Sequence, residues 1–526
     1  MGTIISSNQF SPSNLSAPAL YIVNKPPPSF IPGVPTNVCG IVGTASWGPL
    51  NSPVPIGSPQ ESQTQFGGIT AAALTDVHDL CTDIATAMMQ GPISVWGVRV
   101  SDGSDVVATI ALKDTETTPA TGITINGLYS GTAGNSISVV ITAATVTGYY
   151  NVTINGFPGT HSEVYPNLPG TGFWTALNNA LANGIQGVRG PSLLVRGTGV
   201  DTSATTPATG TFTLTGGKDG RSSITTAELI GVNTTYPGTG IYVLANLSPA
   251  VAVMWVAGLT DTTALAGIQA FCDANAIRTG MALPTGTSTT TAQSTVNSVG
   301  VNDMEVSYLK DWIYWNDTVN GVVRLIPPYG FILGLITALA PQDSPTNKRV
   351  RGVVGTERNN PYTGNQPYDL TELGMLENAG VMVITNPIPA GNTFGVYTGT
   401  NTSLNNAESP VEYAGMTNFL DQSFNATLGI FVGRNQTARP KDPLRRDVRH
   451  ALNTFLQGLK DGSQIDDYEV VCTFAQTGNP ESGINTPSTI AEHYLYAYAA
   501  VRYLSSVRYF VMSLQGGTTV VLSKAA

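Results

Sequence analysis

The sequence predicts a layered α/β core that is interrupted by a small β domain, continues into an α+β C-terminal domain and carries an extended arm at each end. Three observations lead there. A β-α-β pattern opens after residue 38. Between residues 106 and 222 it gives way to short alternating strands with little charge. At both termini a short β-type segment is set apart from the rest by proline or glycine breakers.

In order along the chain, residues 1–18 are polar and without pattern. Leu20, Tyr21, Ile22 and Val23 then form a β-type run followed by the stiff spacer Pro26-Pro27-Pro28. Such a run reads either as a strand that pairs outside its own domain or as an edge strand of the local sheet. Val38 to Gly43 is a buried strand, and Ser46-Trp47-Gly48-Pro49 turns the chain. Leu74, Val77, Leu80/Cys81, Ile84 and Met88 fall at helical spacing up to Gly91-Pro92, and Ile93 to Val100 is the next strand. Strand, helix and strand in this order make a layered core. In the inserted region Ile137 to Ile141, Tyr150 to Ile154 and Phe212 to Leu214 alternate between turn signals.

After Gly216-Gly217-Lys218-Asp219-Gly220 the α/β pattern returns. Val251 to Val256 and Arg278 to Leu283 read as strands around a helix marked by Leu265, Ile268 and Phe271. Thr285 to Ser298 reads as a surface loop or a frayed helix, and Ser307 to Trp315 and Val322 to Ile326 as strands. Pro327-Pro328-Tyr329-Gly330 leads into the apolar run Phe331 to Leu339. Asp369 caps a helix with Leu370, Leu373 and Leu376 inward, ended by Gly380; Val381 to Ile384 and Phe394 to Tyr397 follow as strands. The clearest helix starts at the N-cap Asp442 with Pro443 at its first position. Its stripe is Leu444, Val448, Leu452, Phe455, Leu456 and Leu459, and Gly462 follows it. Tyr494 to Tyr503 and Val507 to Leu514 are strand material. A Gly516-Gly517 hinge then precedes a last strand, Thr518, Thr519, Val520, Val521 and Leu522.

Composition narrows the function. Charged residues are 11% of the 526, against about 25% in an ordinary soluble protein. Apolar residues at 41% exclude a disordered chain. So little charge does not keep free copies well apart, which favours a protein covered by other protein in use. A net charge of −10 excludes a general nucleic-acid binder, which needs a basic stripe to displace counterions. Cys39, Cys81, Cys272 and Cys472 lie far apart, as reduced and partly buried thiols do. The first residues have neither a basic n-region nor an apolar h-region, so no secretory signal is expected. Ile241 to Leu259 carries no charge, but Asn246, Ser248 and Pro249 interrupt it. Two buried elements joined at a turn fit it better than a membrane span does.

No catalytic constellation emerges. His78, His161, His450 and His493 are scattered, and His78-Asp79 are neighbours on a helix that do not face each other. There is no G-x-S-x-G elbow, no HExxH, no P-loop lysine and no GxGxxG after a strand. Ser101 to Asp105 is a calcium-loop fragment without its distal Glu, hence an ordinary turn. No enzyme and no cofactor are expected. One charge feature stands out: Arg434, Arg439, Lys441, Arg445, Arg446, Arg449 and Lys460 fall close together. Arg445, Arg446 and Arg449 lie off the apolar stripe, as a solvated helix face or a docking face for an acidic partner surface.

The segments Ile31 to Val34 and Val38 to Pro49 together resemble the opening of phage contractile tail sheath proteins. Phe66-Gly67-Gly68, Tyr129 to Val139, Leu214 to Gly220 and Pro327 to Gly330 are similar to later motifs of that family, in the same order. The sequence departs from the family in having no Arg between Phe394 and Thr400. The resemblance implies a subtilisin-like core at 26–105 and 223–400, without a triad and with the β domain 106–222 inserted. A C-terminal domain at 401–514 and arms at 1–25 and 515–526 complete the layout. It implies a structural subunit that stacks as rings around a tail tube in the virion and contracts to drive the tube through the host envelope. The subunit would be assembled in the host cytoplasm. The implied partners are further copies of the chain, the tail tube protein, and baseplate and tail terminator proteins, with no nucleic acid bound directly and no membrane insertion. The arm residues 20–23 and 518–522 would add strands to neighbouring subunits, and Arg445, Arg446 and Arg449 would dock on the tube. Two rivals share parts of this reading. A capsid, spike or surface-layer protein would share the composition, and a degenerate subtilisin-like hydrolase would share the core.

Overall fold

The computed structural model describes residues 31–91, 93–234, 236–475 and 483–514, with the backbone alone of residues 3–6 and 21–24. The chain divides into two compact units, one of residues 33–426 and one of residues 1–32 with 427–526. In the smaller unit, β1 (Thr3–Ser6) and β2 (Tyr21–Asn24) form a parallel pair. The expected 20–23 strand is present one residue later, and its partner within the chain is the arm itself. The expected strand 518–522 lies outside the described residues.

The larger unit opens with β3 (Val38–Gly43), the proline-flanked β4 (Pro53–Ile56), α1 (Pro59–Phe66), α2 (Leu80–Met88) and β5 (Ser94–Arg99). Asp79 caps α2 by accepting from the amide of Thr82, so the helix starts later than the periodicity from Leu74 implied.

Residues 106–222 are an antiparallel β unit. It holds β6 (Val107–Lys113), β7 (Thr121–Ser130), β8 (Ser138–Ala143), β9 (Tyr149–Asn155), β10 (Glu163–Pro169), α3 (Phe173–Asn183), β11 (Val195–Thr198) and β12 (Gly210–Thr213). The sheets run β10-β9-β8-β12 and β11-β7-β6, and bridges Thr109↔Thr215 and Val106↔Lys218 link them. Their shared core includes Phe173, Trp174 and Ile154, and also Trp47, which enters from the turn after β3. That ring meets Tyr129 and Phe157 edge-on at centroid distances of 5.5 and 5.3 Å.

The chain then returns through α4 (Thr226–Ile230), β13 (Val253–Val256), α5 (Leu265–Asn275), β14 (Arg278–Ala282), α6 (Thr289–Val299), β15 (Val306–Lys310), β16 (Ile313–Asp317), β17 (Val322–Ile326), α7 (Tyr329–Ala338) and β18 (Val353–Thr356). The short hairpin β19 (Asn359–Asn360) and β20 (Gly364–Asn365), α8 (Leu370–Asn378), β21 (Val381–Thr385), β22 (Gly395–Val396) and α9 (Val411–Thr427) complete it.

One eight-stranded sheet, ordered β22-β21-β15-β14-β13-β3-β5-β4, organises the unit. Its six inner strands are parallel, with β22 and β4 antiparallel at the edges. α1, α2 and α7 pack on one face, and α4, α5, α6 and α8 on the other. Parallel strands covered on both faces read as continuous apolar runs, as β3, β13 and β21 do.

Here one open choice is decided, one expectation changes and one is kept. Thr285 to Ser298 contains a capped helix, α6, because the Ser288 side chain accepts from the Thr291 amide. Ser307 to Trp315 is two strands in different sheets, divided at Asp311, which turns the chain at φ +66°. Ile241 to Leu259 holds a 3₁₀ turn, Gly240–Leu244, and β13, and no described helix is long and apolar enough to cross a membrane.

The C-terminal part of the smaller unit contains α10 (Pro443–Asp461), β23 (Asp467–Val471), α11 (Pro487–Ala491) and β24 (Tyr498–Arg502). Leu444, Val448, Leu452, Phe455, Leu456 and Leu459 are buried as the stripe predicted. β23 and β24 pair antiparallel with no third strand among the described residues. The expected strand Val507 to Leu514 does not form. Those residues carry no regular structure, and Val507, Phe510 and Val511 are over 80% exposed.

Candidate assembly surfaces

Four features bear on function: the join between core and inserted β unit, the basic helix, the tail, and the arms. At the join, Arg221 lies among three carboxylates. Its Nε is 3.0 Å from Asp219, and its Nη1 is 3.2 Å from Asp76 and 3.6 Å from Asp79. Asp219 accepts from the amide of Thr132, in the inserted unit, at 2.5 Å. Arg99, at the end of β5, donates to the carbonyls of Gly48 (2.8 Å), Ser130 (2.7 Å) and Asp219 (3.1 Å). Both chain crossings are therefore pinned to one point of the core. Burial raises the Asp79 carboxyl against the pull of Arg221, and burial lowers the Arg99 guanidinium to about 10. Gly131 sits at this join with φ +131°, where a Cβ would lie 2.0 Å from the Ser46 carbonyl oxygen, so only glycine fits. Sequence reading missed both arginines as structural residues, since their partners come from distant segments. The one local signal is Asp219 two residues before Arg221 in a stretch poor in charge.

His78 and Asp79 do separate work, although both precede α2 rather than lying on a helix as expected. The His78 ring Nδ1 is 2.7 Å from the Ala257 carbonyl, and Asp79 caps α2. All four cysteines are free and buried, and burial raises each thiol.

The basic helix needs one correction. Arg445 is 2% exposed. Its guanidinium donates to the carbonyls of Thr437 and Arg439 and lies 5.3 Å from the Phe474 ring centre. It is held inside the fold because the loop before α10 needs donors for its carbonyls. Arg446 and Arg449 are exposed, and with Lys441 and His450 they line a groove of about 420 Å³ between α10 and residues 472–473. Further along the same unit, Val507 to Leu514 presents an apolar run, and β23–β24 leaves both outer edges unpaired among the described residues.

The fold defined by these units is that of contractile sheath proteins. No family model matches the chain, and no curated protein matches it. Among solved structures, the sheath tail protein of Listeria innocua superposes with a TM-score of 0.56 at 14% identity, over 84% of this chain and 89% of that one. The sheath tail protein of Desulfitobacterium hafniense does so at 0.54 and 14%, over 86% and 93%. The sheath complex of an extracellular contractile injection system, in its contracted state, matches at 0.52 and 9%, over 96% and 98%. These neighbours are structural sheath proteins.

Proposed function

We propose that this protein is the subunit of a phage contractile tail sheath, polymerising as stacked rings around a tail tube and contracting to drive the tube through the host envelope. The observation that carries this reading is the end-to-end likeness to a contracted sheath subunit, 96% of this chain against 98% of that one. In this reading the doubly covered sheet is the subtilisin-like core, residues 106–222 are its inserted domain, and the residues from 401 on are the C-terminal domain and arm. The arms 20–23 and 518–522 join neighbouring copies by adding strands, where backbone hydrogen bonds supply affinity whatever the side chains. The edges of β23 and β24 that are unpaired among the described residues suit such addition, since a two-stranded sheet is marginal alone. The exposed run Val507 to Leu514 belongs to the same arm. Arg446 and Arg449, without Arg445, dock on an acidic tube surface, and baseplate and terminator proteins close the two ends. The protein works in the virion after assembly in the host cytoplasm, with no catalysis and no cofactor.

Negative-stain electron microscopy of the purified chain across a concentration and salt series tests this. Hollow ring-stacked tubes wide enough for an inner tube are expected, while flat lattices or closed shells would overturn the reading in favour of a surface-layer or capsid protein.

A further inference from the structure

The charge of the chain is divided unevenly between its two units. Residues 1–32 and 427–526 hold 11 basic and 8 acidic residues, net +3, whereas residues 33–426 hold 13 and 26, net −13. Within the larger unit the imbalance is concentrated on one face. α4, α5, α6 and α8, which cover the same side of the sheet, contain no Lys or Arg. Between residues 222 and 309 the one cation is Arg278, which is buried, and residues 359–433 have none. Arg358, beside α8, is already paired with Glu372 at 2.8 Å. Asp261, Asp273, Asp303, Asp369 and Glu408 lie on or next to this helical layer, and none has a cation within 4.0 Å among the described residues. Asp273 shows the resulting potential: burial, and then the neighbouring Asp303 carboxylate, push it up to about 6. The smaller unit offers the opposite surface. Arg439 and Lys441, just ahead of α10, are exposed and unpaired among the described residues, beside exposed Arg446 and Arg449.

We infer that the cation-free helical layer of α4, α5, α6 and α8 is an interface for a second copy of this chain, and that the occupant is that copy's positively charged C-terminal unit, entering with Arg439 and Lys441. One sequence then supplies both halves of a heterologous contact, which propagates into rings or helices rather than closing a dimer. The attraction raises the encounter rate and rejects wrong registers, because like charges brought together repel. It is screened at high salt, since the Debye length falls to about 3 Å at 1 M.

The inference rests on the sheath reading for its lattice, and the test separates the two. The full-length chain is compared with Asp273→Lys/Asp303→Lys, with Arg439→Glu/Lys441→Glu, and with the chain carrying all four changes. Circular dichroism melts confirm that each is folded, and Asp273→Asn/Asp303→Asn serves if the lysine variant is not. Sedimentation at low and high salt reads self-association, and electron microscopy reads its form. Each reversal alone is expected to weaken association about tenfold or more at low salt, and the four-fold swap to restore it. Wild-type association in the single reversals, no self-association of the unaltered chain, or no rescue in the swap overturns the inference. Tubes from every variant would sink the inference and leave the sheath standing. Swap-dependent association without tubes would keep it and sink the sheath. Reversals that lose only added tube protein would assign the face to the tube and overturn the second-copy contact.

Discussion

Arg445 and Arg446 are neighbours in sequence and opposites in environment. The side chain of Arg446 is 79% exposed with Asp447 3.9 Å away, while Arg445 is buried and donates to the carbonyls of Thr437 and Arg439. Removing a buried donor strands its acceptors, at a cost of about 1–3 kcal/mol, whereas an exposed side chain away from such features is worth under about 0.5. Arg445→Ala is therefore expected to lower the melting temperature clearly and Arg446→Ala to leave it unchanged; equal melts would contradict the assignment of Arg445 to the fold. Arg221 is the stronger case. Its side chain is 11% exposed and it pairs with Asp76, Asp79 and Asp219 together, so Arg221→Ala takes this counter-charge from the buried Asp79 and Asp219 and the partly buried Asp76. Breaking one side of a buried pair costs about 3–5 kcal/mol. Hydrogen exchange should in addition rise at Asp102 to Val106 and at Lys218 to Ser223, where the chain crosses into and out of the inserted unit. Loss of stability with no change there would mean that the network does not clamp the join.

At the scale of elements, what was legible in the sequence is what local forces decide. β3 and α10 fall where patterning placed them, since an apolar run, a cap and a proline at the first helical position act within a few residues. The division of Ser307 to Trp315 was hidden because Asp311 adopts a left-handed conformation that its residue type only permits. Val507 to Leu514 has every local mark of a strand, but a strand is defined by a neighbouring edge, and in the described chain it pairs with none, the open edges of β23 and β24 included. The candidate surface was half legible for the same reason: charge placed Arg446 and Arg449 outside, and only the loop before α10 shows why Arg445 is inside. An exposed apolar run of this kind invites pairing with another chain. Deleting residues 507–526 should leave the melting temperature within a degree or two of the full chain and abolish polymers in the microscope. Polymers of normal length from the truncated chain would remove this segment from the assembly.

For the molecule as a whole, buried carboxylates set how stability follows pH. Glu305 is pushed up to about 8, by burial first, although Asn418 donates to it at 2.6 Å and Arg278 attracts it. Asp83 is pushed up to about 7 by burial, against the hydrogen bond from the Trp255 indole, and Asp273 to about 6. In the unfolded chain these groups titrate near 4. Between pH 4 and 8 the folded state thus binds more protons than the unfolded one, and stability falls as pH rises through that window. The carboxylates that are lowered, such as Asp102 and Asp467, act below pH 4, and the raised thiols and phenols act above 9, so neither group offsets the slope. The melting temperature is expected to be several degrees higher at pH 5 than at pH 8.5. Glu305→Gln, which keeps the shape and removes the charge, should flatten that slope at its alkaline end. A melting temperature that rises between pH 5 and 8.5, or a slope unchanged in Glu305→Gln, would mean that the charged form of Glu305 is better solvated than its burial against β14 and α9 allows.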